Sequence, residues 1–257
     1  MFCLETEREV ADLSWYEDEK FWQELYPFLF PESRFSKASE EVENIIKLSG
    51  KNTGKVLDLA CGPGRHAVEF SRRGFTVTGL DKSPYLLSRA EEKAQKDGAK
   101  IEWVEEDMRK FCREESFDLV VNLFTSFGYF ELFEDDLKVV QNVHKSLKKG
   151  GKLVLDLNGK ENIARHFQAS SCIEHENGSL LIERHRITED WERIENEWIM
   201  VKKGKSQKFS FKLRLYSARE LKELLEKAGF EKNKVFGSFA GDPYDEEALR
   251  LIAVAEK

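Results

Sequence analysis

Three aspartates lie at or near the ends of successive β-rich runs. Asp58 stands in KVLDLAC just before a glycine-rich turn, Asp81 ends FTVTGLD, and Asp107 ends KIEWVEED. Parallel strands end at the same edge of a sheet, so these carboxylates are expected to meet at one ligand site. Carboxylates at such a site would bind cations and hydrogen-bond donors.

The turn after the first run offers backbone amides to a ligand. Gly62, Gly64 and Ala67 satisfy the dinucleotide pattern G-x-G-x-x-G/A, and Asp81 lies about far enough downstream to hold a ribose, so an NAD-dependent oxidoreductase is one alternative. Asp58 argues against it, because a pyrophosphate would bring negative charge next to this carboxylate. S-adenosylmethionine fits better, since it carries an ammonium and a sulfonium.

Short β-rich runs alternate with helical patterns from Gly54 to Leu157, which predicts parallel βαβ units. FDLVVNLF and KLVLDL are the fourth and fifth predicted strands. Helices are predicted in GPGRHAVEFSRRG, from Ser83-Pro84 to about Gly98, and in DDLKVVQNVHKSL. RLIAVAEK is predicted to be the last strand.

These motifs together resemble those of the class I S-adenosylmethionine-dependent methyltransferases. DLACGPG resembles the family's first motif, with Ala60 in place of a glycine, and GLDKSP, EEDM, NLFTSFGYF and LKKGGKLVLDL resemble later segments. The resemblance implies an α/β fold, a Rossmann-like three-layer αβα sandwich with a mostly parallel seven-stranded sheet whose last strand is antiparallel, plus an antiparallel β insertion.

The resemblance also implies roles for individual residues. The backbones of Ala60 and Leu123 would face the methionine portion, Asp81 the ribose, and Asp107 and Met108 the adenine. The full predicted cofactor-binding set is Tyr16, Arg34, Asp58, Ala60, Cys61, Gly62, Gly64, His66, Asp81, Lys82, Ser83, Asp107, Met108, Asn122, Leu123 and Phe124.

An aromatic segment, SWYEDEKFWQELYPFLFPESRF, precedes the first strand, and a helix is predicted from about Ser39 to Ser49. The aromatic side chains either pack against the sheet or form a lid that gives Trp15 and Tyr16 a role at the cofactor. Arg34 is the candidate partner of the methionine carboxylate, with a surface salt bridge as the alternative. His66 either helps to close the site or packs locally.

The pattern changes to a period of two after the fifth strand. An Asn-Gly turn in EHENGSLLIERHRI and a second turn at KKGK predict an antiparallel ribbon ending in QKFSFKLRLY. A helix with a capping box, SARELKELLEKAGF, follows. We therefore predict an N-terminal lid segment (1–50), a cofactor-binding domain (51–169 and 216–257) and a cap insertion (170–215).

Methyl transfer mainly requires alignment of a nucleophile and exclusion of water, so no metal is expected. Candidate general bases are Tyr129, His166, His185 and Tyr216, and candidate acceptor contacts are Phe127, Tyr129, Arg214 and Tyr216. The predicted activity is methylation of an N, O or C nucleophile of a small molecule. The sequence does not decide among these three.

Composition limits the partners. The 257 residues include 41 basic and 48 acidic side chains, a formal net charge of −7, which does not favour binding to duplex DNA. RNA modification or non-catalytic cofactor binding stays an alternative, with Lys202, Lys203, Lys205, Lys208, Lys212 and Arg214 as the basic stripe. Neither a signal peptide nor a membrane span is indicated, so a cytoplasmic monomer or homodimer is expected.

The four cysteines are scattered along the chain. Cys3, Cys61, Cys112 and Cys172 form no C-x-x-C pair and have no histidine at zinc-ligand spacing. We expect reduced thiols that are buried or semi-buried.

Overall fold

The computed structural model describes residues 14–257, in which eleven strands form two sheets. The strands are β1 (Lys55–Leu59), β2 (Thr76–Asp81), β3 (Ile101–Glu105), β4 (Phe117–Asn122), β5 (Leu147–Leu157), β6 (Ser170–Glu174), β7 (Leu180–Thr188), β8 (Arg193–Lys202), β9 (Lys205–Arg214), β10 (Lys232–Phe236) and β11 (Leu251–Glu256). The larger sheet has the order β10-β11-β5-β4-β1-β2-β3, in which β11 pairs antiparallel with both neighbours and the remaining pairs are parallel.

Seven helices accompany the sheets. They are α1 (Glu19–Leu29), α2 (Glu32–Ser49), α3 (Arg65–Arg72), α4 (Pro84–Asp97), α5 (Phe133–Ser146), α6 (Lys160–His166) and α7 (Ala218–Lys227), and a short 3-10 turn spans Trp15–Glu17. Successive residues of the buried strands face opposite sides of the sheet. Accordingly, Leu119 and Val121 of β4 pack in a core with α2 and α3, and Val120 packs in a second core with α5 and α7.

The second sheet, which we call the cap sheet, contains β6 to β9 in sequence order, all antiparallel. One of its faces packs on α1. Phe21 and Leu25 of that helix share a third core with Leu181, Met200, Phe209 and Phe211 of the cap sheet. The N-terminal helix therefore connects the cap sheet to the rest of the molecule.

The predicted fold class is confirmed, including the seven-stranded sheet with its antiparallel last strand and the antiparallel β insertion. The sequence had not located β10, because KNKVF carries two lysines and lies at the sheet edge, where side chains remain partly exposed. Helix α2 begins at Glu32 rather than near Ser39. The division into lid, cofactor-binding domain and cap at the stated boundaries stays a prediction.

The cysteines correct one expectation. Cys61 is buried as predicted, but Cys112 and Cys172 are exposed, and all three are free thiols. Cys112 lies in a loop and Cys172 lies in β6, and both side chains face solvent. Cys3 lies outside the described residues. Within residues 14–257, none of the helices combines the length and apolar character that crossing a membrane requires.

Candidate active site

A cavity of about 650 Å³ lies between the carboxyl edge of the main sheet, the cap sheet and the N-terminal segment. Its volume is typical of small-molecule sites. The predicted residues that line it are Trp15, Tyr16, Arg34, Asp58, Ala60, Cys61, Gly62, His66, Asp81, Lys82, Asp107, Met108, Leu123, Phe124, Phe127, Tyr129, His166, His185, Arg214 and Tyr216. The fold thus brings the predicted cofactor and acceptor residues to one enclosed space.

Three predicted cofactor residues do not line the cavity, and each has a structural role. The Ser83 hydroxyl accepts from Leu86 N–H and caps α4. The Asn122 amide donates to Leu59 O at 3.0 Å. Gly64 lies so close to α4 that an added Cβ would stand 2.9 Å from the Ala90 Cβ.

The glycine-rich turn is held by the next strand. Ala60 adopts a left-handed conformation (φ 57°), and Cys61 N donates to Leu80 O at 2.8 Å. Gly62 N donates to Asp81 Oδ2 at 2.7 Å, and Ser83 N donates to Oδ1 at 3.0 Å. Asp81 therefore shapes the turn as well as lining the cavity, and burial raises its pKa to about 6.

Asp58 lies under this turn with one carboxylate oxygen unsatisfied. Its side chain is 2% exposed, and Oδ2 has no hydrogen-bond partner among the described residues. Burial raises the pKa of Asp58 to about 7, and the nearby charge of Asp81 adds to this rise. A buried carboxylate in this state gains most from a cation brought by a ligand.

The opposite charge gathers at the same cavity. Arg34 is half-buried over the Phe124 ring, 4.0 Å from its centroid, and its buried Nη1 has no hydrogen-bond partner within residues 14–257. Burial lowers the pKa of Arg34 to about 10, and the charges of Arg65 and Arg250 lower it further. Both arginines also line the cavity. This cluster of guanidinium groups favours an anion.

Helix α2 is joined to the start of α3 by one carboxylate. Glu41 accepts hydrogen bonds from Arg65 Nη1 and, at 2.7 Å, is bonded to His66 Nε2. Burial opposes ionisation of Glu41, but His66 and Arg65 outweigh it and lower its pKa to about 2. His66 therefore lines the cavity and is held locally by Glu41, and its part in closing the cofactor site stays a prediction.

Asp107 is already engaged by cationic side chains. Arg109 Nη2 lies 2.6 Å from Oδ2 and Lys82 Nζ lies 3.3 Å from it, while Arg109 N donates to Oδ1. Burial raises the pKa of Asp107, but the hydrogen bonds and charge of Arg109, with Lys82, outweigh this effect and lower it to about 2. Little acceptor capacity is left for the predicted adenine contact.

Hydrogen bonds with Asp156 of β5 and with Arg250, which precedes β11, hold the segment that follows β4. Phe124 and Thr125 have left-handed backbones (φ 63° and 58°). Phe124 N donates to Asp156 Oδ2 at 2.8 Å, and Arg250 links Asp156 Oδ1 (2.6 Å) to Thr125 Oγ1 (2.9 Å). This network holds the strained segment beside the cavity.

Tyr216 is held by a buried acid. Its hydroxyl donates to Asp136 Oδ2 at 2.7 Å, and Asp136 is fully buried. Burial raises the pKa of Tyr216, and Asp136 raises it further. Arg214 also lies 3.4 Å from Asp136 and donates to Glu131 O. These contacts make both residues parts of the junction with the cap sheet.

The N-terminal segment closes one side of the cavity. Trp15 packs on Tyr129 and on Phe211, at centroid distances of 4.6 Å and 4.7 Å. Glu17 pairs with Lys82. The aromatic side chains thus form a wall of the cavity and pack in the cores beside it, and their role as a lid over the cofactor stays a prediction.

Several cavity residues were not singled out from the sequence. They are Arg65, Arg250, Glu183, Asn196, Trp198 and Phe211. One signal existed for Glu183, since it occupies the same face of an alternating strand as the apolar Leu181 and Ile187. Arg250 carries no comparable signal, because its partners Asp156 and Thr125 are distant in sequence.

The basic stripe is largely paired with acids. Lys208 and Lys212 lie within 4 Å of Glu197 and Glu195, and Lys202 lies 3.8 Å from Glu24. Such pairing reduces the positive potential that an RNA would meet. The RNA alternative itself stays untested.

The chain is similar to known methyltransferases. A family profile described as "Methyltransferase domain" matches residues 56–151. YqeM of Bacillus subtilis (strain 168), which carries a provisional methyltransferase name, is 28% identical over 82% of this chain and 87% of its own length. A glycine/sarcosine N-methyltransferase of Aphanothece halophytica is 26% identical over 97% of this chain and 94% of its own.

Solved structures share the fold. An S-adenosylmethionine-dependent methyltransferase from Clostridium acetobutylicum ATCC 824 has a TM-score of 0.76 at 17% identity, covering 92% of this chain and 97% of its own. The sugar N-methyltransferase KedS8 from Streptoalloteichus sp ATCC 53650 has a TM-score of 0.71 at 21% identity, covering 100% and 98%. The motifs, the sheet order and these relatives together support a class I S-adenosylmethionine-dependent methyltransferase.

Proposed function

We propose that this protein methylates a nitrogen atom of a small-molecule acceptor, with S-adenosylmethionine as methyl donor. The observation that carries the cofactor part is the pair of unsatisfied buried groups at the turn, Asp58 Oδ2 and Arg34 Nη1. Their opposite charges suit the ammonium and the carboxylate of one methionine group. Asp81 and Met108 would face the ribose and adenine.

When bound, S-adenosylmethionine supplies a methyl carbon on a sulfonium, which becomes a neutral thioether when a nucleophile takes the methyl group. The protein's own part is to bind, orient and exclude water. Asp58 and Arg34 would hold the donor from two sides, and the cap sheet with Trp15 would cover the reacting region. No covalent intermediate forms on the protein, because the methyl group would pass directly to the acceptor nitrogen.

Nitrogen as the acceptor atom is supported by two relatives, whose names describe N-methylation of glycine or sarcosine and of a sugar. An unprotonated amine needs no strong base in this displacement. This agrees with the cavity, where burial raises the pKa of Tyr129 and would oppose its acting as a phenolate base.

Calorimetric titration with S-adenosylhomocysteine and with NADH tests the cofactor. We expect S-adenosylhomocysteine to bind and NADH not to bind, and Asp58→Asn to weaken the binding of S-adenosylhomocysteine about 10- to 100-fold through loss of one charged contact. Asp97→Asn, a carboxylate that does not line the cavity, is the control. Binding of NADH, or unchanged affinity in Asp58→Asn, would contradict the proposal.

A further inference from the structure

One face of the cap sheet lines the cavity, and we call it the inner face. It carries a small cluster of polar side chains among apolar ones. Strand register places Glu183 opposite Trp198, and His185 opposite Asn196, with Phe211 next in that row. All five line the cavity. The other cap-strand residues that line it are Ser171, Ile173, Leu181, Ile194, Leu213 and Arg214. Of these, Ser171 and Arg214 are polar, and Arg214 is engaged by Asp136 and by Glu131 O at the junction with the main domain.

Glu183 differs from the charged residues on the outer face. There, cross-strand ion pairs neutralise the charges, as in Arg184–Glu197 and Lys212–Glu195. Glu183 is the only acid on the inner face of residues 170–214, and no cation lies within ion-pair distance of it in the described chain.

The contacts of Glu183 leave it free to take a ligand. Its Oε2 accepts from Ser171 Oγ at 2.7 Å, which orients the carboxylate without neutralising it. The charge of Glu183 raises the pKa of Arg34, although the two side chains lie beyond ion-pair distance. The Arg34 guanidinium lies over the Phe124 ring. A carboxylate oriented in this way at a cavity wall, with no ion-pair partner in the described chain, can bind a cationic group of a ligand.

His185 is held in one tautomer. Asn196 Nδ2 donates to Ile194 O, which turns Asn196 Oδ1 toward His185 Nδ1 at 2.8 Å. Because an amide oxygen only accepts, Nδ1 carries the proton. Nε2 makes no hydrogen bond to any residue of the described chain, so it is left to accept a proton.

Aromatic rings complete this part of the cavity. Trp198 meets Phe211 edge to face at a centroid distance of 4.8 Å, and Trp15 lies beside Tyr129 and Phe211. Aromatic faces attract cations, most strongly where water is excluded. The indole N–H groups of Trp15 and Trp198 are buried and make no hydrogen bond within residues 14–257, so they can donate to a ligand oxygen.

We propose that Glu183, Ser171 and the His185–Asn196 pair form the acceptor-recognition site, which selects an uncarboxylated amine bound as its ammonium. The ammonium would lie against Glu183 with its carbon framework on the aromatic wall. A carboxylate beside the nitrogen would be repelled by Glu183. The site therefore favours amines of the amino-sugar or arylalkylamine kind over α-amino acids.

This inference rests on the proposed function, and within it His185 accepts a proton from the bound amine. One proton of the ammonium passes to Nε2 of His185, which leaves a lone pair on the amine nitrogen for the methyl group. The imidazolium then returns that proton to solvent. Proton and charge are thereby balanced on residues of this chain.

Binding is measured by tryptophan fluorescence with S-adenosylhomocysteine at saturation, using matched pairs of probes. The pairs are benzylamine with benzyl alcohol and glucosamine with glucose, and glycine is added as the α-amino acid. We expect at least one amine to bind about tenfold or more tightly than its alcohol, and Glu183→Gln to remove this preference, as loss of a charged contact would.

Glu197→Gln, on the outer face, is the matched control and should keep the preference. The affinity for S-adenosylhomocysteine should be the same in both variants, which separates this inference from the proposed function. Equal binding of amine and alcohol in both pairs, a preference that survives Glu183→Gln, or tightest binding by glycine would overturn the inference. So would a Glu183→Gln variant that loses S-adenosylhomocysteine binding, since Glu183 would then act structurally.

Discussion

At the scale of residues, the cofactor site combines a buried carboxyl group with a half-buried guanidinium, each with one buried polar atom that has no partner within residues 14–257. These groups belong to Asp58 and Arg34, which line the same cavity. Leaving these charged groups without a partner is unfavourable in the absence of a ligand, because buried charges lose hydration. The cost is offset when a ligand of matching charges binds, so the turn is selective for a zwitterionic group.

The raised pKa of Asp58 predicts a pH-dependent affinity. Burial raises its pKa to about 7, so below that pH the carboxyl must lose a proton before it can hold an ammonium. We expect the affinity for S-adenosylhomocysteine to rise with pH up to about 7, by as much as about tenfold per pH unit. Calorimetry at pH 5.5, 6.5 and 7.5 measures this dependence.

Asp58→Asn separates this effect from other titrations. In that variant only the smaller dependence from Asp81, whose pKa is raised to about 6 by burial, should remain. A slope as steep as that of the wild type would assign the pH dependence to another group.

At the scale of elements, polar contacts attach the N-terminal helices to the helices of the main domain. Glu41 makes two of them, since it joins α2 to Arg65 and His66 at the start of α3. Ser39 of the same helix accepts from Arg73. Both partners of Glu41 line the cavity. The position of α2 therefore determines where these two side chains stand.

We predict that Glu41→Gln lowers the free energy of unfolding at pH 7 by about 1–3 kcal/mol, the usual effect of losing charged hydrogen bonds. Glu41 has a folded pKa lowered to about 2, so its stabilisation is present above its ordinary value and is lost as the pH falls toward 2. Urea unfolding at pH 7 and pH 4 measures the difference.

Glu43→Gln is the control on the same helix, because Glu43 pairs with Lys47 in an exposed position. It should change the unfolding free energy little. An equal effect of the two substitutions would show that helix propensity, and not the contact with α3, is responsible.

Elements were predictable where local signals are strong. Ser83-Pro84 and Gly98 delimit α4 as predicted, and the Asn-Gly turn lies between β6 and β7. Positions of site residues were predictable where strand ends carry them, as with Asp58 and Asp81. The engagement of Asp107 by Arg109, the contacts of Arg250 and the face of Glu183 depend on tertiary neighbours, which no local pattern encodes.

At the scale of the whole molecule, the two sheets meet at a buried hydrogen bond. Tyr216 follows the last cap strand, and Asp136 belongs to α5 of the main domain. Arg193 of β8 reinforces this junction by donating to Phe130 O at 3.0 Å. The cap sheet is thereby linked to the helix layer as well as to α1.

Tyr216→Phe removes the hydroxyl that donates to the buried Asp136 Oδ2 and keeps the ring. We expect it to lower the free energy of unfolding by about 1–3 kcal/mol, because this oxygen loses its short hydrogen bond and keeps the more distant Arg214 Nε at 3.4 Å. Tyr244→Phe is the control, since the Tyr244 hydroxyl bonds to the exposed Glu161 and to Asn162 Oδ1, which also accepts from Gly159 N. A loss in Tyr216→Phe no larger than in Tyr244→Phe would contradict a structural role for the junction.

One close approach has a consequence for protein engineering. The backbones of Gly128 and Arg214 meet directly: Arg214 N donates to Gly128 O at 2.7 Å, and a Cβ on Gly128 would stand 2.6 Å from Arg214 O. A chimaera that exchanges the cap sheet to alter acceptor choice can vary cavity residues such as Glu183 and His185, whereas the apolar residues that pack on α1 must keep that contact. It must also retain glycine at 128 and the β9 backbone at 214. The main chains of these two residues are in direct contact, and any exchanged cap sheet has to reproduce that contact.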